Sequence, residues 1–166
     1  MQLEEFYDYK NLLMEQLCCD PEIVRVVTDN DEAAVPNHDL PYYQVFPFEY
    51  VPETVNDAKT FICFDVDIVS VPNKTMYIPV IYVWVFAHKS RLRAKEGGCT
   101  LDKMAAAVNR LLNGSRYYGL GELKLDSVRR FTPVTDYLGR VLTFYTKDFN
   151  RKWTKPDIPV NRKEGI

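Results

Sequence analysis

Asp65 and Asp67 lie on one apolar stretch and Glu122-Leu123-Lys124 on a later one, and these are residue types that metal-dependent nucleases use. A nuclease of the PD-(D/E)xK type sets an Asp on one strand and an acid-x-Lys on the next. Alternate strand positions share a face, so acid and lysine converge on a divalent ion and its water. The spacing here works against that reading. A helix and a basic loop stand between Asp67 and Glu122, which is long for neighbouring strands, and E-x-K arises by chance on any exposed strand face. As an acid pair for glycoside or phosphate chemistry, Asp65 and Asp67 point the same way, but exposed strand acids are more often solvating charges. A thiol nucleophile would need Cys63 or Cys99 with His88. Cys63 sits between Ile62 and Phe64, where a buried thiol stays protonated. Cys99 stands at the start of a helix, a position from which a thiol can be activated, but nothing supplies a third, orienting group. No GxSxG elbow, dinucleotide loop or HExxH is present, and the glycine-containing run SRYYGLG over residues 115–121 lacks the Lys-Ser/Thr of a phosphate loop. His38 and His88 stand alone, without the paired ligands of a zinc site. The expectation is a protein that is not an enzyme and has no metal or cofactor. The metal-dependent nuclease and a generic cytosolic binding module are the competing readings.

The element that positions everything else spans residues 60–87, TFICFDVDIVS-VPNK-TMYIPVIYVWVFA. Two β-branched and aromatic runs flank a short Pro-Asn-Lys turn, the pattern of a long β-hairpin. Ile62, Phe64, Val66 and Ile68 alternate with Asp65 and Asp67, so one face of the first arm is buried and the other partly wet. The second arm is apolar on both faces, with Tyr82, Trp84 and Phe86 on one and Ile81, Val83 and Val85 on the other. Such a strand is covered on both sides, by helices on one and by further protein, or another subunit, on the other. Pro79 predicts a bulge or an edge.

Around the hairpin, residues 2–19 carry a helical stripe of Leu3, Phe6, Tyr9, Leu13 and Leu17. Asp20-Pro21 predicts an N-cap and first turn of a second, short helix ending near Thr28. Residues 29–41 and 51–57 read as loops. The aromatic segment 42–51 (YYQVFPFEYV), interrupted by Pro47, reads as an edge strand or extended arm whose aromatics bury against the parent core, with a subunit contact as the alternative. Thr100 is expected to cap an amphipathic helix carrying Leu101, Met104, Ala105, Val108, Leu111 and Leu112, ended by Asn113-Gly114. Strands follow over about 123–131 and 140–146. The order of helices, then strands, then helix, then strands predicts an α+β fold. An antiparallel β-sheet is built on a long central hairpin, with helices packed on one face and extended arms. Residues 1–149 are expected to form a single domain, with the N-terminal helices over about 2–28. Residues 150–166, basic and proline-containing, are expected to form an extended C-terminal arm.

Hydrophobic content of 46% and charged content of 27% are ordinary for a globular chain, whereas 13% aromatics, with 11 Tyr and 9 Phe, suit a sheet protein with adhesive surfaces. A net charge of −2 supplies no global field toward nucleic acid, so any such contact is local. Its candidate is the loop 88–98, HKSRLRAKEGG, in which Lys89, Arg91, Arg93 and Lys95 alternate and would share a side of an extended segment; the plain reading is a solvated loop, and the sharper one a finger that touches phosphate or an acidic partner. Adjacent Cys18-Cys19 and the absence of CxxC spacing argue for free thiols in a reducing compartment. The acidic start has no signal-peptide pattern, and the longest apolar run is too short and too β-branched to span a bilayer, so no membrane partner is expected.

The string VFPFEYVPETVNDAKTFICFDVDI, the strand ending VFAHK, the helix LDKMAAAVNRLLNG, the strand LKLDSV and the closing GRVLTFYTKDF resemble the small neck and tail-completion proteins of tailed bacteriophages, over about residues 21–149. That resemblance implies a structural virion protein of tail-terminator or tail-completion (head–tail connector) type, made in the host cytoplasm. It implies a hexameric or dodecameric ring that meets an adjacent neck protein and the tail tube protein while double-stranded DNA passes through with weak, non-specific contact. Lys89, Arg91, Arg93 and Lys95 would then face the lumen. Tyr43, Phe46, Phe48, Tyr50, Arg151 and Trp153 would lie at subunit contacts, because aromatic residues and Arg are enriched there and terminal arms lash neighbours.

Overall fold

The computed structural model of the chain describes residues 5–28, 40–52, 58–73 and 75–149. The hairpin forms as the alternation requires. Strand β2 (Thr60–Asn73) pairs antiparallel with β3 (Met76–His88), from Thr60 opposite Ala87 to Asn73 opposite Met76. Bulges fall between Ile68 and Ser70 and between Ser70 and Asn73, so the hairpin is irregular where Pro79 faces Ile68. On its other side β3 pairs with β5 (Tyr137–Tyr145) as far as Val80 and with the two-residue β6 (Asp148–Phe149) from Tyr77. Pro79 sits at the break between these partners, and its carbonyl accepts from the Thr146 N–H at 3.1 Å. The donor that proline lacks thus faces the interruption in the neighbouring strands.

β4 (Lys124–Phe131) pairs antiparallel with β5, and the short β1 (Val45–Phe46) pairs parallel with β2. The spatial order is β1-β2-β3-β5-β4, with β6 beside β3. The fold is α+β and the sheet antiparallel except at β1. That one parallel pair arises because β1 runs beside Ile62 and Cys63 in the same direction.

Helices α1 (Glu5–Cys19), α2 (Pro21–Thr28) and α3 (Thr100–Leu112) bury one sheet face. Leu13, Leu17, Ile23, Val27, Met104 and Val108 meet Ile62, Phe64, Ile81, Val83, Val85, Leu142 and Phe144 in one core. The cap of α2 forms as expected, with Asp20 Oδ1 accepting from the N–H groups of Glu22 and Ile23 at 3.0 and 2.9 Å. At α3 the expectation fails. Cys99 is the cap residue and makes no side-chain cap, while Thr100 lies inside the helix and donates its hydroxyl to the Arg91 carbonyl at 2.8 Å. The end of α3 is as expected, with Asn113 at the cap and Gly114 at φ 89°.

A second, aromatic core fills part of the opposite face. Phe46, Phe61, Cys63, Phe86 and Tyr137 are buried there beneath Tyr50, Phe131 and Val134. Gly139 makes this packing possible. A Cβ on it would stand 2.6 Å from both the Phe86 Cβ and the Val85 carbonyl oxygen, so Phe86 and Phe131 close over a bare backbone at 6.0 Å. Leu3, most of the expected loops over 29–41 and 51–57, the Lys74 turn residue and the arm over 150–166, with Arg151 and Trp153, lie outside the described residues.

Candidate functional site

The acid–lysine constellation is dispersed by the strand order. β2 and β4 are separated by β3 and β5, so the registers place Asp67 opposite Val80, Tyr145 and then Lys124, three strand steps away. At the usual interstrand spacing that is about 14 Å, too far for one ion to bridge. Asp65 is held by Lys10 of α1 at 2.5 Å, and Glu122 by Arg116 at 2.6 Å. The Arg116 hydrogen bond and charge, with a smaller contribution from Lys124, keep the Glu122 carboxyl below its ordinary pKa. No cluster of three His, Cys, Asp or Glu residues suited to a metal occurs among the described residues.

The thiols divide by burial. Cys18 and Cys63 are buried, and desolvation pushes each up to about 12. Cys63 lies inside the aromatic core, away from any role as a nucleophile. His88 caps the turn that follows it, with Nδ1 at 2.8 Å from the Ser90 hydroxyl and its ring edge-on to Tyr137.

The basic loop is not extended, which corrects the expectation of four cations on one side. Lys89–Arg91 form a 3-10 turn, started by His88, whose ring accepts from the Ser90 N–H. The chain then doubles back through Gly97 and Gly98, both at positive φ, so that Arg93 bridges Cys99. Lys89 lies 3.4 Å from Asp136, and the Arg91 Nε donates to the Ala58 carbonyl at 2.9 Å. Arg93 and Lys95 are exposed. Local capping outweighed alternation, and no residue count along the loop reveals it.

The aromatic arm is sorted by the structure. Phe46 is buried and stacks on Tyr50 at 4.1 Å, so these two belong to the chain's own aromatic core. Tyr43 lies under the Lys59 ammonium at 4.1 Å, a cation–π contact. Phe48 is 46% exposed and neighbours Tyr42, which is 65% exposed. Tyr42 was not singled out by sequence. It is the non-glycine residue with positive φ, 59°, among the described residues, and the tight turn over 40–45 imposes that angle. Tyr7 of α1, 71% exposed, shares a shallow groove with Tyr42 and Pro47. The arm and α1 together therefore present an outward patch of Tyr7, Tyr42 and Phe48.

Two further surfaces carry chemistry. On the open part of the far sheet face, half-buried Tyr82 and Trp84 stack at 5.8 Å and, with Val141, Thr143, Asp126 and Arg129, line a shallow groove. At the end of the sheet, the loop 114–123 closes on itself through Gly114 N–H to Leu123 O at 2.8 Å and Leu123 N–H to Ser115 O at 2.7 Å. Tyr118 pins it to α1, its hydroxyl donating to Gln16 Oε1 at 2.5 Å, and burial raises the phenol pKa. Gly119 permits the loop to close on the chain after β5, since a Cβ there would meet the Lys147 carbonyl oxygen at 2.8 Å. The resulting cleft is lined by Arg116, Leu120, Gly121, Glu122, Lys124, Tyr145, Thr146 and Lys147. The sequence signal for it was the SRYYGLG run, whose glycines serve close approach and not a phosphate-loop motif.

No curated protein shows significant similarity to the chain. Helices α2 and α3, the hairpin and the following strands, from residue 20 to residue 146, do match a family model, YomW. The match takes in every described element except α1 and β6, and on that extent the chain belongs to the YomW family, a phage-associated protein family.

Proposed function

We propose that this chain is a structural virion protein of a tailed phage, a ring subunit of tail-terminator or tail-completion type seated between neck and tail tube. The observation that carries the reading is the outward aromatic patch shared by the arm and α1. Tyr42 is held in a backbone region that costs a tyrosine about 1–3 kcal/mol, and it projects beside Phe48 and Tyr7 away from the chain's own core. Strain of that kind persists where it positions a group for contact, and exposed aromatic residues are the anchors that protein interfaces favour. Membership of a phage-associated family supports the setting. In the ring, the patch packs on the neighbouring copy, and DNA in the lumen meets the exposed cations of the loop, Lys89, Arg93 and Lys95.

The test combines the purified chain with the particle. Light scattering coupled to sizing chromatography should give the mass of a hexamer or dodecamer for the wild type, with its neck or tube partner added if the partner templates the ring. Tyr42→Asp with Phe48→Asp should leave a monomer whose thermal midpoint is unchanged. Phage carrying the double variant should accumulate separate heads and tails. Absence of the chain from purified virions, or normal joined particles with the double variant, would sink the proposal.

A further inference from the structure

We propose that the cleft between the loop 114–123 and the end of β5 binds a phosphate group. Its lining carries three cations, Arg116, Lys124 and Lys147, against one carboxylate, and that carboxylate, Glu122, is engaged by the Arg116 guanidinium through Nε and Nη2 at 3.2 and 2.6 Å. The two lysines are exposed point charges of the sort that suit phosphate. At the floor lies Thr146, only 3% exposed, whose hydroxyl is buried and has no hydrogen-bond partner. Buried hydroxyls without partners are few in native proteins, because desolvation without compensation is costly. The two glycines of the loop flank this hydroxyl. A Cβ on Gly119 would stand 3.4 Å from Thr146 Oγ1, and one on Gly121 would stand 3.6 Å from it. In this structure the hydroxyl is closed to a water-sized oxygen, and only the two glycines, which carry no side chain, stand over it, so an anionic oxygen in the cleft reaches this unused donor once the loop backbone gives way slightly. At about 600 Å³ the cleft holds a phosphate together with its substituent.

A phosphate is presented equally by a small phosphorylated molecule and by a nucleic-acid backbone, and the site stands on the cleft's own chemistry whatever the quaternary state of the chain. The purified full-length chain is titrated by calorimetry at low ionic strength with inorganic pyrophosphate and, separately, with a short blunt DNA duplex. Two variants remove the site without disturbing the fold. Thr146→Val deletes the hydroxyl and keeps the shape. Gly121→Ala places a methyl at ordinary contact distance from Oγ1, at a residue whose φ lies outside the left-handed region. Both should keep the wild-type melting curve, and loss of one hydrogen bond to a charged group should weaken binding about tenfold or more. Lys124→Glu with Lys147→Glu should abolish it. Both probes weakened by Thr146→Val and Gly121→Ala establish a phosphate site. The same loss for the duplex alone assigns it to a nucleic-acid backbone, and for pyrophosphate alone to a small phosphorylated ligand. The proposal is overturned if the wild type binds neither probe, or if binding is unchanged in both conservative variants, as expected of diffuse surface charge or of a buried water on Thr146.

Discussion

Cys63 shows how far one side chain's environment sets its chemistry. Its thiol is fully enclosed by the aromatic core, and burial pushes it up to about 12, only partly offset by a hydrogen bond with the Tyr50 backbone. A group whose folded pKa is raised contributes stability that is complete below its unfolded value and is lost as pH rises toward the folded one. With an ordinary value of 9.0, Cys63 and Cys18 together should make the fold lose stability progressively between pH 9 and about 12. Chemical denaturation across that window checks it, and Cys63→Ala should flatten the slope. In the native state at mild pH a thiol reagent should modify exposed Cys19 and half-buried Cys99, and reach Cys18 and Cys63 only after unfolding. Gly139 is a residue-scale constraint of another kind. Any Cβ there collides at 2.6 Å with backbone as well as side chain, and neither can yield without parting β3 from β5. Gly139→Ala should cost about 1–3 kcal/mol or more, read as a lowered urea midpoint at unchanged slope.

Among the elements, α3 is the one whose sequence stripe and buried face can be compared position by position. Leu101, Met104, Val108 and Leu112 are buried as the i, i+3, i+7, i+11 spacing requires, and Ala107 joins them, whereas Ala105 and Leu111 are only partly covered. Val108→Asp should therefore unfold the protein, because an unpaired carboxylate would enter a fully enclosed site. Leu111→Asp should be milder and leave a cooperative melt, and circular dichroism during heating separates the two. What was legible in the sequence was local. The hairpin, the Asp20 cap, the α3 stripe and the Asn113-Gly114 stop are written within a turn or a strand length. What was not legible depended on residues far apart in the chain. The place of β5 between β3 and β4, which separates Asp67 from Lys124, follows from which apolar faces meet under the helices. Thr100 failed as a cap because the Arg91 carbonyl, nine positions earlier in the chain, claimed its hydroxyl. The unfilled Thr146 hydroxyl was invisible for the same reason, since only the folded loop brings Gly119 and Gly121 against it.

At the scale of the whole molecule, the open ends of the sheet decide how copies can meet. One edge is partly closed, because β1 pairs with β2 at Ile62 and Cys63 and Lys10 holds Asp65 just beyond. The other edge is β4, which among the described residues pairs only with β5 and carries Val128 at 45% exposure. An unpaired strand with an exposed valine is a template for indiscriminate pairing. Two devices restrain it here. A register shift between Leu125 and Ser127 distorts the ladder, and exposed Arg129 and Arg130 set charge on both faces of the strand. Arg130 also stands directly opposite Arg140, a like-charge pairing tolerated because Asp102 of α3 binds Arg140 at 2.9 Å. If protection rests on these arginines, Arg129→Thr with Arg130→Thr should keep the melting midpoint. It should still add to the mass seen by light scattering as concentration rises, beyond any species the wild type forms. Lys95→Thr, which neutralises a cation away from the strand edge, should add nothing. A double variant that scatters like the wild type at every concentration would show that the distorted ladder alone guards the edge.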